Sequence, residues 1–195
     1  MAGTASRGVN GQVATLEPEA KTAGRRLTIA LAGNPNSGKS TLFNALTGAR
    51  QHVGNWPGKT VEKKEGICRR SGQEISVVDL PGTYSLTAYS QEETIARDYI
   101  LQEKPDVVIG VLDASNLERN LYLAVQLLEM GTNLVIALNM SDIAESRGLR
   151  VDSEKLSRGL KGTPVIRAVA NRGEGIDKLL QAVIGAASDP KRMTK

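Results

Sequence analysis

The chain has 195 residues, 40% apolar and 24% charged, which suits one soluble globular domain with its own core. The net charge of +4 belongs to the ends: residues 1–26 and 188–195 each carry an excess of two positive charges, and residues 27–187 are neutral, which disfavours a nucleic-acid partner. No stretch resembles a signal peptide or a bilayer span, and the single cysteine, Cys68, permits no internal disulfide and fits a reducing compartment.

Residues 1–25 are rich in Gly, Ala, Thr and Ser without apolar periodicity, and the expectation is a mobile leader or tag. Residues 26–187 read as the folded domain and residues 188–195 as a flexible basic tail. Short apolar runs at 27–32, 75–78, 107–112, 134–138 and 165–170 predict buried strands. Between them, apolar residues repeat at three and four over 39–46, 92–101, 117–128, 153–160 and 176–184, which predicts helices. Residues 61–70, carrying Glu62, Lys63, Lys64 and Glu65, read as a solvated edge strand, with a hairpin turn over 69–73. The alternation implies an α/β fold with a mostly parallel sheet flanked by helices and a ligand site beyond the carboxyl ends of the strands.

The first strand runs directly into Gly33-Asn34-Pro35-Asn36-Ser37-Gly38-Lys39-Ser40, which has the form GxxxxGK[ST] and opens a predicted helix. Glycines let the backbone wrap phosphates, amides and the helix dipole bind anionic oxygens, Lys39 reaches the β and γ phosphates, and Ser40 can coordinate Mg²⁺. The segment that follows this helix supplies Thr60 as a second magnesium ligand and γ-phosphate sensor. Asp79-Leu80-Pro81-Gly82 ends the strand at 75–78, so Asp79 can bind the magnesium hydration shell and the Gly82 amide can contact a γ phosphate. Asn139-Met140-Ser141-Asp142 ends the strand at 134–138, where the Asp142 carboxylate can accept from guanine's ring N–H and amine; adenine offers no donor there. GTP is favoured over ATP. Thr41 and Gly58 complete the expected GTP contacts beside the phosphate motifs.

Together with the phosphate motif and Asp79-Leu80-Pro81-Gly82-Thr83-Tyr84-Ser85-Leu86, the segment Gln51-His52-Val53-Gly54-Asn55-Trp56-Pro57-Gly58-Lys59-Thr60-Val61-Glu62 resembles the cytoplasmic G domain of the ferrous iron transport protein B (FeoB) family of bacterial membrane transporters. The resemblance runs from about Leu27 to Ile184 and implies a Ras-like P-loop NTPase domain at the cytoplasmic face of the inner membrane. It implies that this domain regulates Fe²⁺ uptake by a transmembrane iron-permease portion. It also implies a potassium ion beside the nucleotide, held by Asn36 and the carbonyls of Gly54 and Trp56. Thr83 stands where Ras-type enzymes carry a water-orienting glutamine, and no arginine finger is evident, so hydrolysis is expected to be slow, with potassium and Asn36 stabilising the transition state. The catalytic set read here is Asn36, Lys39, Thr60 and Gly82.

Where the family usually reads Ser-Ala, with an amide against the guanine carbonyl, this chain has Val169-Ala170-Asn171, so Val169 and Ala170 are assigned to the base with the serine's hydrogen bonding lost. Lys59 replaces a usually apolar residue. A helical domain and a transmembrane region normally follow, so transport is not expected of this chain alone. Two other readings stand beside this one: a GTPase of RNA modification or ribosome assembly, which the neutral body disfavours, and a non-catalytic guanine-nucleotide switch module. Self-association is left open.

Overall fold

The computed structural model describes residues 26–70 and 72–188, so the expected leader at 1–25 and the tail beyond Ser188 lie outside the described residues. Seven strands form one mixed sheet: β1 (Leu27–Gly33), β2 (Gln51–Asn55), β3 (Glu62–Arg70), β4 (Gln73–Asp79), β5 (Val107–Asp113), β6 (Leu134–Asn139) and β7 (Val165–Arg167). Their spatial order is β2-β3-β4-β1-β5-β6-β7, with β2, β3 and β4 joined antiparallel and the other neighbours parallel. Six α-helices cover the faces: α1 (Lys39–Thr47), α2 (Gln91–Glu103), α3 (Leu117–Glu129), α4 (Ser141–Ser146), α5 (Ser153–Gly159) and α6 (Ile176–Ser188).

The central strands are buried on both faces, which is why they read as continuous apolar runs. On β1, Ile29 and Leu31 join Leu42 and Phe43 of α1 and Leu179 and Val183 of α6 in one core layer. The alternate residues Ala30 and Ala32 join Ile95 and Ile100 of α2 and Leu123 and Leu127 of α3 in the other. The apolar stripe of α6, Ile176, Leu179, Leu180 and Val183, has the three-and-four spacing that aims one helical face at the sheet. Ser90 caps α2 by accepting from the Glu93 amide at 3.1 Å, and Glu93 accepts from the Tyr89 amide at 3.0 Å.

Three expectations are corrected. The strand expected at the sheet edge, β3, is interior: β2 folds back along it and takes the edge. Its charges serve the strand faces, where Lys63 pairs with Glu65 at 2.6 Å and Lys64 with Glu62 at 2.8 Å, while both backbone edges are bonded. The hairpin after it is tighter than expected, because Arg70 pairs with Gln73 and Gly72 takes φ 75°. The last strand stops at Arg167 rather than 170: the Ala168 amide still donates to Leu138 O at 2.9 Å, but the chain then coils into a single 3₁₀ turn, Ala170–Arg172.

Candidate functional site

Strands β4, β1, β5 and β6 lie side by side and end at Asp79, Gly33, Asp113 and Asn139, so their carboxyl ends form one rim. The loop of residues 33–40 leaves β1 at this rim. A side chain at Gly33 would meet Val111 O at 2.7 Å and Ser37 Oγ at 2.8 Å, and one at Gly38 would meet Asn139 Nδ2 at 2.2 Å. Only glycine fits at either position. Asn36 (φ 65°) and Gly38 (φ 83°) are both left-handed, the backbone alternation that gathers amides into an anion-binding nest ahead of α1. Ser40 and Thr41 are exposed on the first turn of that helix.

Lys39 and Asp79 are both nearly buried and form an ion pair, Lys39 Nζ against Asp79 Oδ1. A buried pair of this kind depends on each partner, since removal of either leaves a desolvated charge. Gly82 lies against the loop of residues 33–40, where an added Cβ would stand 3.3 Å from Pro35 Cα. Next to it the Thr83 amide donates to Gly33 O at 3.2 Å, and the buried Thr83 hydroxyl donates to Ser85 O at 2.6 Å. Asn34 donates through Nδ2 to Arg119 O at 3.3 Å, while its Oδ1 and the Ser37 hydroxyl are buried without a partner among the described residues.

On the opposite flank, Asn139 Nδ2 donates to Ser37 O at 3.0 Å and Asn139 Oδ1 accepts from the Ala170 amide at 3.1 Å. One side chain therefore ties the phosphate loop to the 3₁₀ turn. Met140 is left-handed (φ 57°) and starts α4, which carries Asp142 in its first turn. Asp142 Oδ1 accepts from the Ile143 amide at 2.9 Å, and its Oδ2 stands 3.5 Å from Arg172. Sequence reasoning missed Arg172; its only signal was a basic residue in a Gly-bounded loop. Val169 and Ala170, expected at the base, lie on the turn beside this motif. Both backbone groups of Val169 pair with Glu174, at 3.1 and 3.3 Å, and the Ala170 amide is taken by Asn139, so the contacts seen for these two residues are internal.

The segment expected to supply Thr60, Gly54, Gly58 and Trp56 forms the edge strand β2 and the turn after it. Gly54 lies in β2 opposite Lys63, and residues 56–61 form a turn in which the Trp56 amide donates to Val61 O at 3.0 Å and the Lys59 amide to Trp56 O at 2.9 Å. Gly58 turns left-handed (φ 68°), and Thr60 is exposed. Trp56 is buried edge-on against Tyr99 of α2, ring centroids 5.5 Å apart, with Lys63 Nζ 5.0 Å from its own ring centroid. Among the described residues, the hydrogen bonds and ring contacts of residues 54–61 are made within the turn and to β3 and α2. Burial, reinforced by Glu65 and Glu103, pushes the Tyr99 phenol up to about 12, so it packs as a neutral group.

The loop after Gly82 is gathered by Glu93, which accepts from Ser85 Oγ at 2.6 Å, Thr87 Oγ1 at 3.1 Å and the Tyr89 amide at 3.0 Å. The Ser85 hydroxyl above all, then the Tyr89 amide and Thr87 hydroxyl, hold the Glu93 carboxyl below its ordinary value against the opposing effect of desolvation.

Residues 27–183 match the family model of Ferrous iron transport protein B. The chain belongs to this family. It is 56% identical over 163 residues to the Fe(2+) transporter FeoB of Salmonella typhimurium, covering 82% of this chain and 21% of that protein. It therefore spans about a fifth of the length of the curated relatives it matches. Among solved structures, the FeoB G-domain of Methanococcus jannaschii superposes with TM-score 0.74 at 50% identity, covering 84% of this chain and 99% of that one. The cytosolic domain of Thermotoga maritima FeoB in a GMPPNP form superposes with TM-score 0.81 at 45% identity, covering 84% and 65%. The fold is thus the Ras-like P-loop fold of FeoB G domains, with a mixed seven-stranded sheet.

Proposed function

We propose that this chain is the GTP-binding, slowly GTP-hydrolysing regulatory domain of a bacterial Fe²⁺ uptake transporter, with Fe²⁺ as the cargo of a permease portion outside this chain. The observation that carries the reading is the single rim on which the phosphate loop, Asp79 and the Asn139–Asp142 motif meet, with Asn139 bonded across them. The Thermotoga relatives in GDP and GMPPNP forms support a guanine nucleotide as the ligand. No helix among the described residues is long and apolar enough to cross a membrane. The likeness to cytosolic domains of FeoB relatives supports action at the cytoplasmic face, through neighbours in the full transporter.

In this reading the nest and the α1 N-terminus bind the phosphates, Lys39 turns from Asp79 toward them, and Asp142 selects guanine. Ser40, Thr60 and Asp79 offer the hard oxygens that suit Mg²⁺, Asp79 through water, and the ion would offset charge on the phosphates. Thr60 would join them from the exposed turn at 56–61. Asn36, left-handed on the loop and with no side-chain hydrogen bond among the described residues, has its amide oxygen available for a potassium ion; Gly54 and Trp56 would join it only after their carbonyls leave β3 and the Lys59 amide. Since the Ala170 amide is committed to Asn139, the next amide, that of Asn171, is the better donor to the guanine carbonyl.

Thr83 supports slow turnover: its hydroxyl is buried and donates to Ser85 O, so it does not orient an attacking water. The same observation favours a second reading, a nucleotide-binding switch without useful hydrolysis. Single-turnover assays with GTP and ATP in Mg²⁺ decide between them. Hydrolysis of GTP but not ATP is the expected result; tight GTP binding without phosphate release would favour the switch, and equal use of ATP would overturn the guanine assignment.

A further inference from the structure

The two edges of the sheet are unlike. Strand β7 is three residues long and ends in Arg167, which pairs with Glu145, so it offers little backbone to a neighbour. Strand β2 is five residues long, all exposed, and reads Gln51-His52-Val53-Gly54-Asn55, with no lysine, glutamate or proline to discourage pairing.

The hydrogen-bond phase of β2 can be read from its ends. The Ile67 amide donates to Arg50 O at 3.1 Å and the Trp56 amide to Val61 O at 3.0 Å, and both pairs belong to the same antiparallel register as Gly54 opposite Lys63. Because bonded and non-bonded pairs alternate in such a ladder, Arg50, His52, Gly54 and Trp56 turn their backbone groups to β3. Gln51, Val53 and Asn55 turn theirs outward. The outward set is symmetric about Val53, a residue 53% exposed.

We infer that β2 is a docking edge for a second copy of this chain, paired antiparallel about a two-fold axis at Val53. In that register Val53 bonds reciprocally to its counterpart and Gln51 to the partner's Asn55, using every outward N–H and C=O of the strand. On one face the two Val53 side chains cover each other, with the uncharged Gln51 and Asn55 beside them. On the other face His52 stands opposite the partner's Gly54, where the room for a side chain is open apart from His52 itself. No charge on the strand opposes its own copy, and an isologous contact requires such self-complementarity. The Gln51 side chain is already tied to Asn44 Oδ1 at 2.9 Å and Gly48 O at 2.7 Å, which holds the strand's entry in place for docking.

Pairing of five-residue strands buries less than the standard interface, so the association is weak and concentration-dependent. It also has a place in the switch. The strand leads straight into the turn at 56–61 that carries Thr60, so a partner that fixes β2 fixes the start of that turn, and movement of the turn must in return alter the pairing. The inference rests on strand geometry and stands whether or not the nucleotide reading does.

The test is sedimentation velocity of the nucleotide-free chain from about 10 μM to about 1 mM, a range set by the weak association expected of a small interface. The apparent mass should rise toward twice the monomer value, with amide exchange at Gln51, Val53 and Asn55 slowing as it does. Val53→Pro removes only an outward donor, leaving the β2–β3 ladder intact, and Val53→Lys sets two like charges face to face; each should abolish the rise. Val53→Thr should retain it. A constant monomer mass over the whole range, or association that survives both Val53→Pro and Val53→Lys, overturns the proposal, and far-ultraviolet circular dichroism establishes that the variants are folded.

Discussion

Asn139 reaches Ser37 across the rim, its Nδ2 donating to Ser37 O at 3.0 Å, although the residues are 102 positions apart. The same side chain holds the Ala170 amide at 3.1 Å, so the phosphate loop and the base-side turn are parts of one hydrogen-bonded unit. Asn139→Ala leaves Ser37 O and the Ala170 amide without these partners in a buried setting. The expected cost is about 2–4 kcal/mol of stability, since each unmet buried group is expensive. Thermal unfolding without nucleotide should register it, together with a loss of guanine-nucleotide affinity. Unchanged stability with weaker binding would mean that Asn139 acts only on the ligand.

Asp142→Asn should exchange a preference for guanine for one for xanthine, because the amide presents a donor where the base formerly met an acceptor. At least about a tenfold reversal is expected from a site built on hydrogen bonds. The structure adds a control. Asp142 also faces Arg172 at 3.5 Å, but that arginine is well exposed, so loss of the pair should leave stability nearly unchanged. Competition between GTP and XTP is the measurement; GTP winning equally in the variant and the parent excludes Asp142 as the base reader.

The phosphate loop, Asp79 and the base motif were legible because each follows an apolar run that can only be a buried strand, and each run delivers its end to one rim. Strand β2 was not, since Gln51-His52-Val53-Gly54-Asn55 has one aliphatic residue and no alternation; its extended form comes from pairing with β3, a tertiary effect. The charges of β3 suggested an edge because sequence does not distinguish a solvated face from a solvated edge. Arg172 and the commitment of the Ala170 amide were hidden for another reason: both depend on contacts across some thirty residues of chain, Arg172 to Asp142 and Ala170 to Asn139.

Glu93 gathers Ser85, Thr87 and Tyr89 as a carboxylate, and its folded value lies below the ordinary 4.5. A depressed carboxyl stabilises the fold above its ordinary value and loses that contribution as pH falls through the depressed one. The loop at 84–90 should therefore hold through the usual glutamate range and loosen only as acidification goes below it. Glu93→Gln should loosen it already at neutral pH. The Tyr89 amide resonance reports both: it should titrate in the parent and hold steady in the variant. A Tyr89 resonance that titrates alike in both proteins would assign the transition to another group.

Potassium should accelerate GTP hydrolysis more than sodium at equal ionic strength, and the dependence should reside in Asn36. Phosphoryl transfer spreads negative charge over the transferring group. This chain has Thr83 locked onto Ser85 where a water-orienting glutamine would stand, so a positioned cation has a deficit to fill. A shell of one amide oxygen, loop carbonyls and phosphate oxygens spaced for potassium holds the smaller sodium ion poorly. Asn36→Ala alone would confuse the issue, because Asn36 is left-handed at φ 65°, and alanine there adds about 1–2 kcal/mol of backbone strain. Asn36→Gly removes the same oxygen while relaxing the backbone. Both variants should lose the difference between the two salts, and Asn36→Gly should keep GDP affinity near that of the parent. If Asn36 only braces the loop, the rates in potassium and sodium will be equal in the parent protein and GDP binding will weaken in Asn36→Ala. Single-turnover rates in each salt, measured beside GDP affinity for all three proteins, separate an ion ligand from a structural asparagine.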